Sequence, residues 1–102
     1  MQYLVHLQFS DPPGFTDDEL TALRGSETER AHALQRAGIL TALWRDPGQR
    51  ASWTLWEVAS ADHLDQAVRS LPYWPWMFVD VYPLARHPNA LTADPGTTSS
   101  GH

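Results

Sequence analysis

Cysteine is absent from this chain of 102 residues. That excludes disulfides, thiolate nucleophiles and Cys-ligated metals. No run of about 18 apolar residues occurs, the length a membrane-crossing helix needs. The opening Met1-Gln2-Tyr3-Leu4 lacks the charged and long apolar regions of a secretory signal. A cytoplasmic domain is therefore expected. Positive charge is scarce: seven Lys+Arg stand against twelve Asp+Glu, for a net charge of −5. A chain of that sign repels phosphate, and no local basic patch offsets it, so nucleic acid is not an expected partner. His6, His32, His63 and His87 are dispersed, with no HExxH or His-x-His pairing, so no metal site is expected. Serine-nucleophile motifs, glycine-rich phosphate loops and redox-cofactor anchors are also missing. Acid–base chemistry without a cofactor, or simple binding, is what remains.

The chain is rich in tryptophan: five residues, four of them grouped as Trp53, Trp56, Trp74 and Trp76. Large aromatics supply much buried area per residue, which suits a small core, an oligomer interface or an apolar pocket. A chain this short buries a small share of its surface, and self-association is a natural remedy.

Apolar and polar residues alternate from Tyr3 to Phe9, placing Tyr3, Val5, Leu7 and Phe9 on one side and Leu4, His6 and Gln8 on the other. Thr16-Asp17-Asp18-Glu19 is a capping box, and a helix is expected from Asp17 to Ala37, stopped by Gly38. Strands follow at Ile39–Arg45, with Leu40, Ala42 and Trp44 on one side, and at Ala51–Val58, joined by the turn Asp46-Pro47-Gly48-Gln49. In the latter strand Trp53 and Leu55 oppose Thr54, Trp56 and Val58. A second helix is expected from Ala61 to Leu71, ended by Pro72, and a fourth strand from Met77 to Tyr82. The order β-α-β-β-α-β predicts an α+β, ferredoxin-like fold: a four-stranded antiparallel sheet with two helices on one face. Both sides of the third strand carry tryptophan, so the second face is expected to be covered by another subunit's sheet, with a pocket between them. One domain over residues 1–88 and a mobile C-terminal tail over 89–102 complete the reading.

Glu27 carries the most chemistry. On the first helix, Leu20, Leu23, Glu27, Ala31 and Leu34 share one stripe, and only Glu27 is charged. A carboxylate on a core-facing stripe is costly unless neutralised; such a site raises its pKa and makes it a proton carrier near neutral pH. The opposing reading is a surface ion pair with Arg24 at i−3 or Arg30 at i+3. Arg24 can hold a substrate carboxylate or polarise a carbonyl through its guanidinium fork. Arg45 and Arg86 can bind an anion or tie chain segments together. His6 is a candidate pocket acid or a buried, hydrogen-bonded structural residue. Trp44, Trp53, Trp56 and Trp76 are candidate walls of an apolar pocket.

The segments Glu27-x-Glu29, Leu34-Gln35-Arg36-x-Gly38, Leu43-Trp44-Arg45, Leu71-Pro72-x-x-Pro75-x-Met77 and Arg86-His87-Pro88 resemble the muconolactone Δ-isomerases, without gaps from Arg24 to Pro88. The resemblance implies a ferredoxin-like subunit, sheet-to-sheet dimers and often a decameric ring. It also implies a cofactor-free isomerase of the β-ketoadipate pathway of aromatic catabolism, moving a double bond in (S)-muconolactone to give 3-oxoadipate enol-lactone. A proton leaves C4 and a proton arrives at C2. It casts Glu27 as general base and acid and Arg24 as its electrostatic partner; His6, Trp44, Arg45, Trp53, Trp56 and Trp76 are the expected substrate contacts. The chain departs from the family in carrying Arg24 where lysine is usual, Gln49 where histidine is usual, and bulkier tryptophans. Two alternatives stay open: a related isomerase, cyclase or cofactor-free oxygenase acting on a larger apolar metabolite such as a polyketide, and a non-catalytic binding module.

Overall fold

The computed structural model describes residues 1–91; the expected tail lies mostly outside them. The elements run β1 (Gln2–Phe9), α1 (Asp17–Arg36), β2 (Leu40–Arg45), β3 (Ala51–Glu57), α2 (Ala61–Arg69), a 3₁₀ turn (Trp74–Trp76) and β4 (Met77–Leu84). All strand pairs are antiparallel, in the order β2-β3-β1-β4. This is the ferredoxin-like arrangement read from the sequence, with β1 and β3 central.

Local chemistry sets the element ends. The Thr16 hydroxyl accepts from the Glu19 N–H at 3.1 Å, and the Glu19 carboxylate accepts from the Thr16 N–H at 3.0 Å, closing the capping box. Ala37 caps the other end of α1, and Gly38 turns the chain away at φ +74, in the left-handed region that glycine enters without strain. The Ser60 hydroxyl caps α2 by accepting from the His63 N–H. That helix ends at Arg69, two residues short of the expected Leu71: the Leu71 N–H bonds the Val68 carbonyl, three residues back, as the last turn tightens ahead of Pro72.

Two expectations about strands are corrected. Leu40 lies opposite Trp56 while Ala42 lies opposite Leu55, so a bulge at Thr41 puts Leu40 and Ala42 on different sides of the sheet. Leu40 joins the core instead of sharing a face with Trp44. Strand β4 also runs on to Leu84, through Pro83, which an edge strand tolerates because one row of its N–H groups needs no partner.

Both helices pack on one face of the sheet. Leu34 from α1 and Leu64, Ala67 and Val68 from α2 bury against Tyr3, Val5, Leu7 and Trp56. Under this layer, the Trp56 indole donates to the Thr54 hydroxyl at 2.7 Å, and Thr54 donates to the Val5 carbonyl at 2.8 Å. These are buried polar atoms, and each finds a partner. The opposite face carries Leu4, His6, Trp53 and Leu55 beside Trp44, Phe78 and Tyr82, and Phe78 is 77% exposed there.

Candidate active site

Helix α1 crosses the sheet so that its apolar stripe faces β2 and β3, and Glu27 travels with that stripe. Its carboxylate stands at a cavity of about 440 Å³ between the helix and the sheet. Leu40, Leu43, Thr54 and Trp56 line the sheet side, Ala31 and His32 the helix side, and Leu71, Tyr73 and Met77 the far wall. Such a lining is mostly apolar with a few directed polar groups, the usual make-up of a small-molecule site.

The Glu27 Oε1 accepts a hydrogen bond from the Tyr73 backbone N–H at 2.9 Å. Tyr73 follows Pro72, and the turn there leaves its N–H aimed across at α1 rather than along a helix. Burial of Glu27 raises its pKa above the ordinary 4.5, and the Tyr73 N–H, which favours the charged form, offsets part of the rise. Neither arginine expected to draw Glu27 into a surface pair does so. Arg24 reaches Asp11 at 3.3 Å, and Arg30 bonds the Ser70 hydroxyl at 2.9 Å. Glu27 is thus a half-buried acid held by one main-chain donor, with no countercharge bonded to it.

Arg24 also lines the cavity, and its guanidinium is anchored at the cavity's mouth. Asp11 holds it together with Arg50, at 3.1 and 2.8 Å, and with the Tyr73 hydroxyl at 3.1 Å. These bonds, Arg50 foremost, lower the Asp11 carboxyl to about 2. Arg50 also lies over the Phe9 ring, 5.2 Å from its centroid.

Of the residues expected from sequence, Glu27, Arg24 and Trp56 come together around this cavity. His6, Trp44 and Trp53 lie in register on the other face of the sheet. There the His6 ring stacks on Trp53 at 4.4 Å and bonds Asp46 at 3.1 Å. Trp76 packs edge-on against Phe15, beyond the cavity wall. Arg45 borders a neighbouring hollow with Arg50 and Ser52. Sequence reasoning did not single out Asp11, Arg50, Thr54 or Tyr73. Asp11 and Tyr73 are 62 residues apart and meet only through the fold. Among the described residues no group of His, Asp and Glu could hold a metal ion, and no helix is long and apolar enough to cross a membrane.

A family model described as muconolactone delta-isomerase matches residues 1–90. The chain belongs to the muconolactone delta-isomerase family. The Pseudomonas putida muconolactone delta-isomerase is 31% identical over 94 residues, covering 92% of this chain and 98% of that protein. The Acinetobacter baylyi muconolactone delta-isomerase is 28% identical over the same length and coverage. A crystal structure of muconolactone isomerase at 3.3 Å resolution superposes with a TM-score of 0.85 at 32% identity, covering 92% of this chain and 98% of that one. Membership in this family of isomerases agrees with the fold.

Proposed function

We propose that this protein isomerises an unsaturated lactone of the muconolactone type by proton transfer through Glu27. The observation that carries this reading is a half-buried carboxylate of raised pKa at the wall of a mostly apolar cavity. Such a group takes a proton from carbon more readily than a hydrated carboxylate, because its charged form is poorly solvated. The ionised Glu27 removes the C4 proton. The electron pair left behind moves through the ring to the lactone carbonyl, giving a dienolate. The same carboxyl then returns the proton to C2, and the double bond has moved by one position. Substrate and product are isomers, so no electron acceptor is consumed. The Tyr73 N–H fixes the carboxyl oxygen through both half-reactions, and Arg24, at the same cavity, supplies positive potential toward the developing oxyanion.

A second reading has its own support. A cavity of about 440 Å³ has more room than a single five-membered ring with a short acid arm fills, and a larger unsaturated carbonyl compound would use the space under the same proton transfer. Incubation with (S)-muconolactone in D₂O distinguishes the two. Conversion to the enol-lactone supports the first reading, with C2 carrying protium where Glu27 returns the proton it took and deuterium only where the carboxyl has exchanged with solvent. Absence of any ultraviolet or NMR change rejects it and favours the larger substrate.

The outer sheet face is proposed as the surface through which two copies pair. It presents Trp44, Phe78 and Tyr82 at 52%, 77% and 48% exposure, large apolar side chains that pairing would take out of water. Phe78→Asp is expected to shift the mass measured by light scattering toward the monomer; an unchanged mass rejects this face as the interface.

A further inference from the structure

Arg24 has a carboxylate beside it on its own helix and bonds a different one. Glu27 lies three residues on along α1, a spacing at which opposite charges meet and attract. The other positions three and four residues from Arg24 are Leu20, Thr21 and Thr28, so no other acid on the helix competes for it. Both Arg24 and Glu27 line the same cavity. Yet the guanidinium bonds Asp11 at 3.3 Å, and among the described residues the Glu27 carboxylate accepts only from the Tyr73 N–H.

A single exposed ion pair is worth little by itself. Asp11 competes well because its carboxylate is already fixed before Arg24 arrives. Arg50 grips both of its oxygens, at 3.1 and 2.8 Å, and the Tyr73 hydroxyl donates to one of them at 3.1 Å. Tyr73 is therefore bonded at both ends, through its N–H to Glu27 and through its hydroxyl to Asp11. Its ring is buried, 5.4 Å from that of Phe9, and a tyrosine side chain has two torsions to fix. The two acids thus stand at opposite ends of one rigid residue. Other charged groups near Glu27 are placed apart from it. Arg30, three residues on, bonds the Ser70 hydroxyl. His32 lines the cavity from the same helix, and among the described residues Tyr73 is the one titratable side chain that lines it from the sheet side and the turn before β4.

We propose that Asp11 is a positioning residue that acts through Arg24: it keeps the guanidinium at the mouth of the cavity and off Glu27, so that Glu27 meets its ligand as an unpaired base. This role rests on the isomerase reading, in which ionised Glu27 takes a proton from carbon. A carboxylate paired with arginine is a poorer base, because the countercharge stabilises its ionised form. Asp11 satisfies the arginine instead, and Arg24 still lends positive potential to the cavity. Without the Asp11 charge, Arg24 and Arg50 are left with no anion between them, and Glu27 becomes the helical acceptor for Arg24.

Carboxyl ¹³C NMR titration of the full chain tests this without turnover, with Glu27→Gln identifying the signal. The wild-type Glu27 midpoint is expected above 4.5. Asp11→Asn, which keeps the shape and removes the charge, should bring it to 4.5 or below. Adding Arg24→Ala should return it above 4.5, which separates a moved arginine from the mere loss of a nearby negative charge. Asp11→Glu should keep the wild-type value. A midpoint that stays above 4.5 in Asp11→Asn overturns the proposal, as does a fall that survives Arg24→Ala. If Asp11→Asn does not fold, the wild type decides. Its Arg24 guanidinium ¹⁵N signal should hold constant from pH 4 to 8, and a signal that follows the Glu27 titration overturns the proposal. Turnover is a separate readout: a wild type that never isomerises muconolactone rejects the isomerase reading, while the titrations still report which acid holds Arg24.

Discussion

Replacing Glu27 with glutamine removes one capacity and leaves the shape. The amide is isosteric with the carboxyl, and its oxygen still accepts the Tyr73 N–H that now holds Oε1 at 2.9 Å. What is lost is the ability to take and return a proton. General acid–base catalysis contributes about 10²- to 10⁴-fold, so Glu27→Gln should lower kcat by that factor, or about 2.7–5.4 kcal/mol of transition-state stabilisation. KM should move little, because Arg24 and the apolar walls remain. Stability should move in the opposite direction. In the folded chain the Glu27 pKa is raised above the unfolded value of 4.5. The folded state then holds its proton where the unfolded state has released it, so this group's contribution falls as pH climbs past 4.5 and levels off above the folded pKa. The glutamine variant lacks that loss and should melt at or above the wild-type temperature at neutral pH, with the advantage shrinking toward pH 4. The assays are ultraviolet turnover of (S)-muconolactone from pH 4 to 8 and thermal melting over the same range. Wild-type kcat/KM should rise with pH through a midpoint above 4.5. Turnover of the variant within three-fold of wild type would refute the proton-carrier role. A variant that melts well below wild type at neutral pH would show that the carboxylate is stabilising, and the desolvation argument would be wrong.

Thr54→Val keeps the volume but orphans the Trp56 indole N–H, which now bonds Thr54 at 2.7 Å. A buried donor left unpaired costs about 1–3 kcal/mol, so melting should fall by roughly 4 °C or more, while Thr54→Ser, which keeps the hydroxyl, should fall less. Gly25 sits on α1 with nothing within 4 Å of a Cβ built there and no left-handed φ. Gly25→Ala should therefore stabilise by about 0.5–1 kcal/mol in denaturant titration. Asp11 is lowered from 3.8 to about 2 by its arginine and tyrosine partners. Its stabilisation is present above pH 3.8 and fades as pH falls toward 2. Asp11→Asn should be less stable than wild type at pH 6, and the gap should close in melts taken near pH 2; a gap that does not change with pH would discount the ion cluster.

Periodicity and caps made much of this fold readable in advance. The capping box at Thr16, the glycine stop at Gly38 and the alternation in β1 each depend on neighbours a few residues away, which a sequence displays directly. Glu27 was readable for the same reason: its helix spacing puts it on an apolar stripe whatever the strands do. The side of the sheet that holds the cavity was not readable. Tryptophan occurs on both faces of β3, so alternation separated Trp53 from Trp56 without saying which one met Glu27. The bulge at Thr41 reversed Leu40 because one inserted residue shifts a period-two pattern, and nothing in Ile39-Leu40-Thr41 marks it. The Asp11 cluster depends on contacts across 13, 39 and 62 residues, and such closure is a property of the topology rather than of any local run.

The donor that steadies the Glu27 carboxyl belongs to the main chain. Every residue type except proline supplies the same N–H at position 73, so mutation there can recut the wall of the hollow while the proton carrier keeps its aim, at the cost of the hydroxyl that bonds Asp11. A lineage could thereby explore ligands of new outline through substitutions at one site without first losing its chemistry, whereas a side-chain donor would have tied recognition and reactivity to the same codon.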